Sequence, residues 1–146
     1  MKIMKTYSIL LLFILSYLLM SCSIDDGRSN VEFSYQLNEI LSVEVPETVR
    51  ENGEYDLKIE FKKSANCHEF SGFDFEVGEN ENERIISAVS NVINVDNTCQ
   101  AYKTLQTETQ DFKFSVKRDD YYILKFWQGK DSLNQPIYLT KRIEIR

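Results

Sequence analysis

At 146 residues the chain has the length of about one domain. Its 42% hydrophobic and 27% charged residues exclude wholesale disorder, collagen-like repeats and a polytopic membrane protein. Lys plus Arg number 17 against 23 for Asp plus Glu, a net charge of -6, which is the wrong sign for neutralising phosphates, so nucleic acid is not an expected partner.

Met1 to Ser21 has the form of a secretory leader: Lys2 and Lys5 supply a positive start, and an apolar run from Ile9 to Met20 follows. Those twelve residues reach roughly 18 Å as a helix, at about 1.5 Å each, well short of the ~30 Å of a hydrocarbon core. The run ends in Leu19-Met20-Ser21-Cys22, which resembles the lipobox of bacterial lipoproteins: an aliphatic residue, a tolerant position, a small residue, then cysteine. Met20 departs slightly, since smaller residues are commoner there. The resemblance implies cleavage before Cys22, a diacylglyceryl group on its thiol and acylation of the new amino terminus. Two or more acyl chains, at roughly 0.8 kcal/mol per buried methylene, anchor stably where one does not. The other readings are cleavage by an ordinary signal peptidase, leaving Cys22 a free thiol, and an uncleaved anchor.

Ser23 to Asn30 is polar and without period, and reads as a tether spanning roughly 26 Å when extended. Its Asp25-Asp26 pair resembles the export signal that takes lipoproteins of Bacteroidota to the cell surface, interrupted here by Ile24; a plain solvated linker is the alternative. Losing Lys2 and Lys5 with the leader takes the 17 basic side chains to 15 against an unchanged 23 acidic ones, a mature net charge of -8. Membrane contact is therefore expected through lipid on Cys22 and not through a basic face.

From Val31 onward the dominant period is two. Val31, Phe33, Tyr35 and Leu37 alternate with polar neighbours, and Leu41, Val43 and Val45 do so up to Pro46. After the turn residues Arg50 to Gly53, Tyr55, Leu57, Ile59 and Phe61 share one face while Asp56, Lys58, Glu60 and Lys62 share the other. The next strand carries Cys67, Phe70, Phe73, Phe75 and Val77, with a parity shift across Ser71-Gly72 that predicts a bulge. Gly78 to Glu83 reads as a polar hairpin loop, Ile85 to Val95 as a strand, and Asp96-Asn97 as a turn. Gln100 to Gln110 shows no clean alternation and reads as a long connection with at most a short strand or turn of helix. Phe112, Phe114 and Val116 alternate again, Asp119-Asp120 turns the chain, and Tyr121 to Trp127 is apolar enough for a central strand covered on both faces. Gly129 to Gln135 reads as a loop before a last strand, Ile137 to Ile145.

Seven to nine short strands with regular turn signals and no amphipathic helix predict an all-β fold, an antiparallel β-sandwich. The segment Asp119 to Leu124 resembles the penultimate strand of immunoglobulin-like domains, with Tyr122 as corner tyrosine and Leu124 inward, although the aspartate spacing is one short of the antibody pattern. The leader, a two-cysteine β-domain and the late Tyr122-x-Leu124-x-Phe126-Trp127 strand are similar to the C-terminal half of NigD-like lipoproteins of Bacteroidota; their N-terminal module has no counterpart in this sequence. The expected organisation is a signal peptide over 1–21, a lipidated tether over 22–30 and an immunoglobulin-like sandwich over 31–146.

With Cys22 assigned to lipid, Cys67 and Cys99 are expected to pair outside the cytoplasm. The bridge closes a loop of 33 residues counting both ends, worth about 3 to 4 kcal/mol by chain entropy. The rivals are two free thiols, or a metal site of Cys67, His68 and Cys99 with Glu69 or Asp96, whose adjacent Cys67 and His68 lack the usual ligand spacing. His68 is the single histidine, so any general-base scheme runs through it, yet no nucleophile elbow, zinc helix, P-loop or dinucleotide fingerprint accompanies it. Glu79, Glu81 and Glu83 are candidate calcium oxygens or a solvated hairpin tip. Trp127, Tyr121 and Tyr122 are a candidate stacking surface for sugar or peptide, or core.

No cofactor, metal or enzymatic activity is expected. The reading is a non-enzymatic lipoprotein, anchored by Cys22 to the outer membrane on its periplasmic or outer side, serving as a binding or assembly module for an envelope protein or glycan. Two alternatives stand beside it: an inhibitor or immunity lipoprotein whose charge neutralises a basic enzyme or toxin, and a small hydrolase using His68.

Overall fold

The computed structural model describes residues 31–146; the expected leader, Cys22 and the tether lie outside the described residues. Nine strands run through the described residues: β1 Val31–Asn38, β2 Ile40–Glu44, β3 Thr48–Val49, β4 Glu54–Ala65, β5 His68–Val77, β6 Glu83–Val95, β7 Ala101–Ser115, β8 Tyr121–Lys130 and β9 Pro136–Ile145. They form two sheets, one of β2, β4 and β7, the other of β5, β6, β1, β8, β9 and β3. This is the expected all-β sandwich. Most pairs are antiparallel; two short contacts, β6 with β8 and β3 with β9, are parallel.

The period-two pattern decides which side chains meet between the sheets. From the smaller sheet, Leu57, Ile59 and Phe61 on β4, Phe114 on β7 and Ile40 on β2 are buried. From the larger, Ile86 and Ala88 on β6, Tyr122, Leu124 and Phe126 on β8, Ile143 on β9 and Val49 on β3 meet them. Fully burying one such side chain contributes roughly 1.5 to 3 kcal/mol, so this interface is the main source of stability. Rings carry one end of it: Phe70 stacks on Phe61 at 5.1 Å, Phe73 meets Phe112 at 5.4 Å, and Phe114 meets Tyr122 edge-on at 4.9 Å.

The bulge expected at Gly72 is present. Phe70 faces Ser90 and Gly72 faces Val89, so Ser71 is the extra residue, and Gly72 has a φ of 146°, a region open to glycine and strained for other residues. By absorbing one residue, the bulge puts Phe70, Phe73 and Phe75 on the same inward face, opposite Ser90, Ala88 and Ile86.

Three expectations need correction. Gln100 to Gln110 is not a connection: from Ala101 onward it belongs to the 15-residue β7 and pairs with β4 as far as Gln106 opposite Lys63 and, past an irregularity, Ala101 opposite Ala65. Its first seven residues are exposed on both faces, and with no core to face, nothing in the packing requires alternation there. In β2 the deeply buried residue is Ile40, with Leu41 displaced by a bulge between Ile40 and Ser42. β8 is central, between β6 and β9, but over Tyr121 to Trp127 only Tyr122, Leu124 and Phe126 are fully buried; Tyr121, Ile123, Lys125 and Trp127 are half-buried on the outer face.

β1 and β2 are nearly continuous, yet they belong to different sheets. The chain crosses at Asn38 and Glu39. Asn38 is buried there, donating to the Ser90 hydroxyl at 2.6 Å, while Lys62 N–H donates to Glu39 O at 2.9 Å.

Candidate functional site

At one pole of the sandwich, Cys67 before β5 and Cys99 before β7 are joined by a disulfide, with Cα atoms 5.2 Å apart. Hydrogen bonds tie the surrounding backbone: Ile93 N–H donates to Cys67 O at 3.1 Å, Cys99 N–H to Asn94 Oδ1 at 3.2 Å, and Gln100 N–H to Asn66 Oδ1 at 2.8 Å. The bridge therefore staples the β4–β5 turn to the β6–β7 connection.

His68 is buried beside it, 6% exposed, and burial first, then the Lys63 charge, push its imidazole below the ordinary 6.5. Its Nδ1 has no hydrogen-bond partner. Cys67, His68 and Cys99 have ligand-type atoms within 4.8 Å of one another, the three-residue group weighed as a metal site. Thiolate is the ligating form of cysteine, and in the disulfide neither sulfur is a thiolate. Glu69 lies at a β5 position opposite Asn91 and is exposed; Asp96 sits in the turn after β6 with a φ of 50°. For base catalysis His68 needs a group that orients one ring nitrogen and a nucleophile beside the other. Nδ1 has no such group beside it among the described residues.

The three hairpin glutamates separate. Glu83 is buried and pairs with Lys125 at 3.0 Å, and hydrogen bonds from Lys125 and then Asn80 hold its carboxyl below the usual range. Glu81 approaches Arg118 at 3.9 Å, and Glu79 is exposed. They form no metal-holding group among the described residues. The hairpin is thus pinned by ion pairs to β8 and to the β7–β8 turn.

The aromatic trio is divided by the pleat. Tyr122 enters the core, 1% exposed, and its hydroxyl accepts a hydrogen bond from Lys117 N–H at 3.0 Å, five residues upstream. That is the corner arrangement the sequence resembled, with Leu124 inward and fully buried. Tyr55 repeats it, accepting from Arg50 N–H at 2.8 Å over the same five-residue spacing. Tyr121 and Trp127 stay on the outer face, where Arg142 lies 3.8 Å above the Tyr121 ring and Tyr138 stands opposite Trp127 in register.

A feature missed in the sequence lies on that same outer face. Val31, Phe33, Tyr35 and Leu37 of β1 are exposed by 55, 55, 69 and 40%, although their alternation matches that of core strands. Opposite them in β6 stand Val95, Ile93, Asn91 and Val89. Phe33 and Tyr35 touch edge to face at 5.1 Å. Ser71 to Asp74 of β5 line a shallow hollow with Tyr35, Leu37 and Val89, of about 450 Å³. The apolar row is continuous, and no described residue covers it. A second groove, of about 490 Å³, runs between β4 and β7 beside Lys62, Lys63, Tyr102 and Lys103, and two of its three cations are held by Glu39 at 3.2 Å and Glu108 at 3.8 Å.

Comparison with models of protein families, with curated proteins and with solved structures finds no match for the chain.

Proposed function

We propose that the chain is a non-enzymatic envelope lipoprotein: a disulfide-stapled β-sandwich, held to the outer membrane by acyl chains on Cys22, that serves as a binding or assembly module. The observation that carries this is the order of parts. Leu19-Met20-Ser21-Cys22 is followed by an eight-residue polar stretch that leads directly into β1, the strand bearing the uncovered apolar row. A partner recruited there would meet the domain at its membrane-proximal strand. The Cys67–Cys99 bridge supports an extracytoplasmic location, where disulfides persist. The leader, the two-cysteine β-domain and the late Tyr122-x-Leu124-x-Phe126-Trp127 strand are similar to the C-terminal half of NigD-like lipoproteins.

Metabolic labelling with palmitate tests the anchor. Wild type is expected to incorporate label and to fractionate with membranes, and Cys22→Ala to do neither. Equal labelling of the two would overturn the reading.

The net charge of -8 on a chain starting at Cys22 supports a second reading, an inhibitor or immunity lipoprotein for a basic enzyme or toxin. Association would then weaken steeply with ionic strength. Pull-down from envelope extracts at low and high salt separates the two, because a partner held equally at both salts excludes electrostatic capture.

A further inference from the structure

β1 is an edge strand. β6 is the one strand that pairs with it, so the other side of Val31–Asn38 presents backbone N–H and C=O groups with no strand beside them among the described residues. Natural sheets protect such edges with lysine, proline, inward charges or a covering segment. β1 has no Lys and no Pro, and its single charge is Glu32. Four of its side chains are the exposed apolar row described above.

Two features select the kind of partner. A lipid surface would cover the apolar side chains but leave the edge N–H and C=O groups without hydrogen bonds, a costly arrangement in hydrocarbon. A β-strand supplies those hydrogen bonds and sets its own apolar side chains beside the row. The sequence of β1 is moreover complementary to itself in antiparallel register about Ser34. In that register Ser34 faces Ser34, Phe33 faces Tyr35, Val31 faces Leu37, and Glu32 faces Gln36, whose amide N–H groups are donors to a carboxylate. No like charges oppose each other and the apolar row continues across the join.

We propose that β1 pairs with β1 of a second copy of this chain, in antiparallel register centred on Ser34, so that the two larger sheets join edge to edge through a two-fold interface. This deepens the reading of the domain as an assembly module and rests on it. Acylation of Cys22 is a separate question, so palmitate label is followed in the same samples and failure of the anchor is not mistaken for failure of the pairing.

The test is cysteine crosslinking of the full chain in membranes. Ser34 is exposed, so Ser34→Cys leaves the core untouched. Mild oxidation is expected to convert Ser34→Cys to a disulfide-linked dimer at least tenfold more than Glu32→Cys, since Glu32 faces Gln36 of the other copy and not itself. Co-expressed Glu32→Cys and Gln36→Cys chains are expected to crosslink to each other. Tyr35→Lys, placed in the Ser34→Cys background, sets two cations in the join and is expected to lower the yield at least tenfold, with an unchanged circular dichroism spectrum as the check on folding. Equal yields from Ser34→Cys and Glu32→Cys, no dimer from Ser34→Cys, or no effect of Tyr35→Lys would each overturn the proposal. So would a monomer whose β1 amides exchange slowly only when phosphatidylcholine vesicles are added, which assigns the row to lipid.

Discussion

Tyr122 does two jobs with one side chain. Its ring fills the space between Phe114 and the Arg84 guanidinium, whose central carbon lies 5.3 Å from the ring centroid, and its hydroxyl closes the β7–β8 turn through Lys117 N–H. Tyr122→Phe keeps the packing and removes only the hydroxyl, so urea unfolding is expected to show a loss of about 1 to 2 kcal/mol, the cost of one partly buried bond and its orphaned donor. Tyr55→Phe is expected to cost less, because the bond to Arg50 is exposed and water replaces the hydroxyl. In the same turn Arg118 grips Asp120 with two bonds, Nε at 2.7 Å and Nη2 at 2.8 Å. The hydrogen bond from Arg118, then one from the Tyr121 backbone, lower the Asp120 carboxyl from 3.8 to about 2. Since the folded value lies below the unfolded one, this pair stabilises the fold fully above about pH 4 and loses its contribution as pH falls towards 2. NMR titration of Arg118→Ala is expected to return the Asp120 carboxyl close to its ordinary value; an unchanged titration would remove the guanidinium as the cause.

Among the elements, β7 separates what alternation reveals from what it hides. Its second half, with Phe112 and Phe114 against the core, was legible because inward positions are apolar. Its first seven residues pair with β4 while their side chains stay exposed, and backbone pairing puts no period into the side chains, so Tyr102 and Leu105 read as loop residues. Phe114→Ala is expected to cost about 3 to 5 kcal/mol and Leu105→Ser, on the same strand, less than about 0.5 kcal/mol, as measured by denaturant midpoints at constant m. The converse holds for β1. Its alternation is as clean as that of β4, but Leu57, Ile59 and Phe61 are buried in one cluster with Phe114 and Tyr122, whereas Val31, Phe33 and Tyr35 sit on an outer face that no strand covers among the described residues. Period two tells that one side of a strand is apolar. Whether a second sheet lies over that side is a property of topology, which is why the apolar row had no sequence signal of its own. The Gly72 bulge was legible, because a parity shift beside a glycine has few other physical causes. The orphaned Nδ1 of His68 was not, being a matter of what fails to arrive beside it.

For the whole molecule, the sandwich and its disulfide supply a small rigid body, and the proposed anchor supplies its place. An acidic chain at net -8 is repelled by anionic lipid, so attachment through Cys22 would leave the domain standing off the membrane on its tether, with β1 nearest to it. Confinement to a surface raises the encounter rate of like copies and so favours edge-to-edge pairing that would be weak in dilute solution. Both consequences depend on the chemistry at Cys22. Mass spectrometry of the N-terminal peptide released from the membrane-bound protein reads that chemistry directly. The peptide expected begins at Cys22, carries a diacylglyceryl thioether on its sulfur and an acyl group on its amino terminus, and is accompanied by no trace of residues 1–21. A peptide beginning at Met1, or a Cys22 with an unmodified thiol, would contradict the anchored reading.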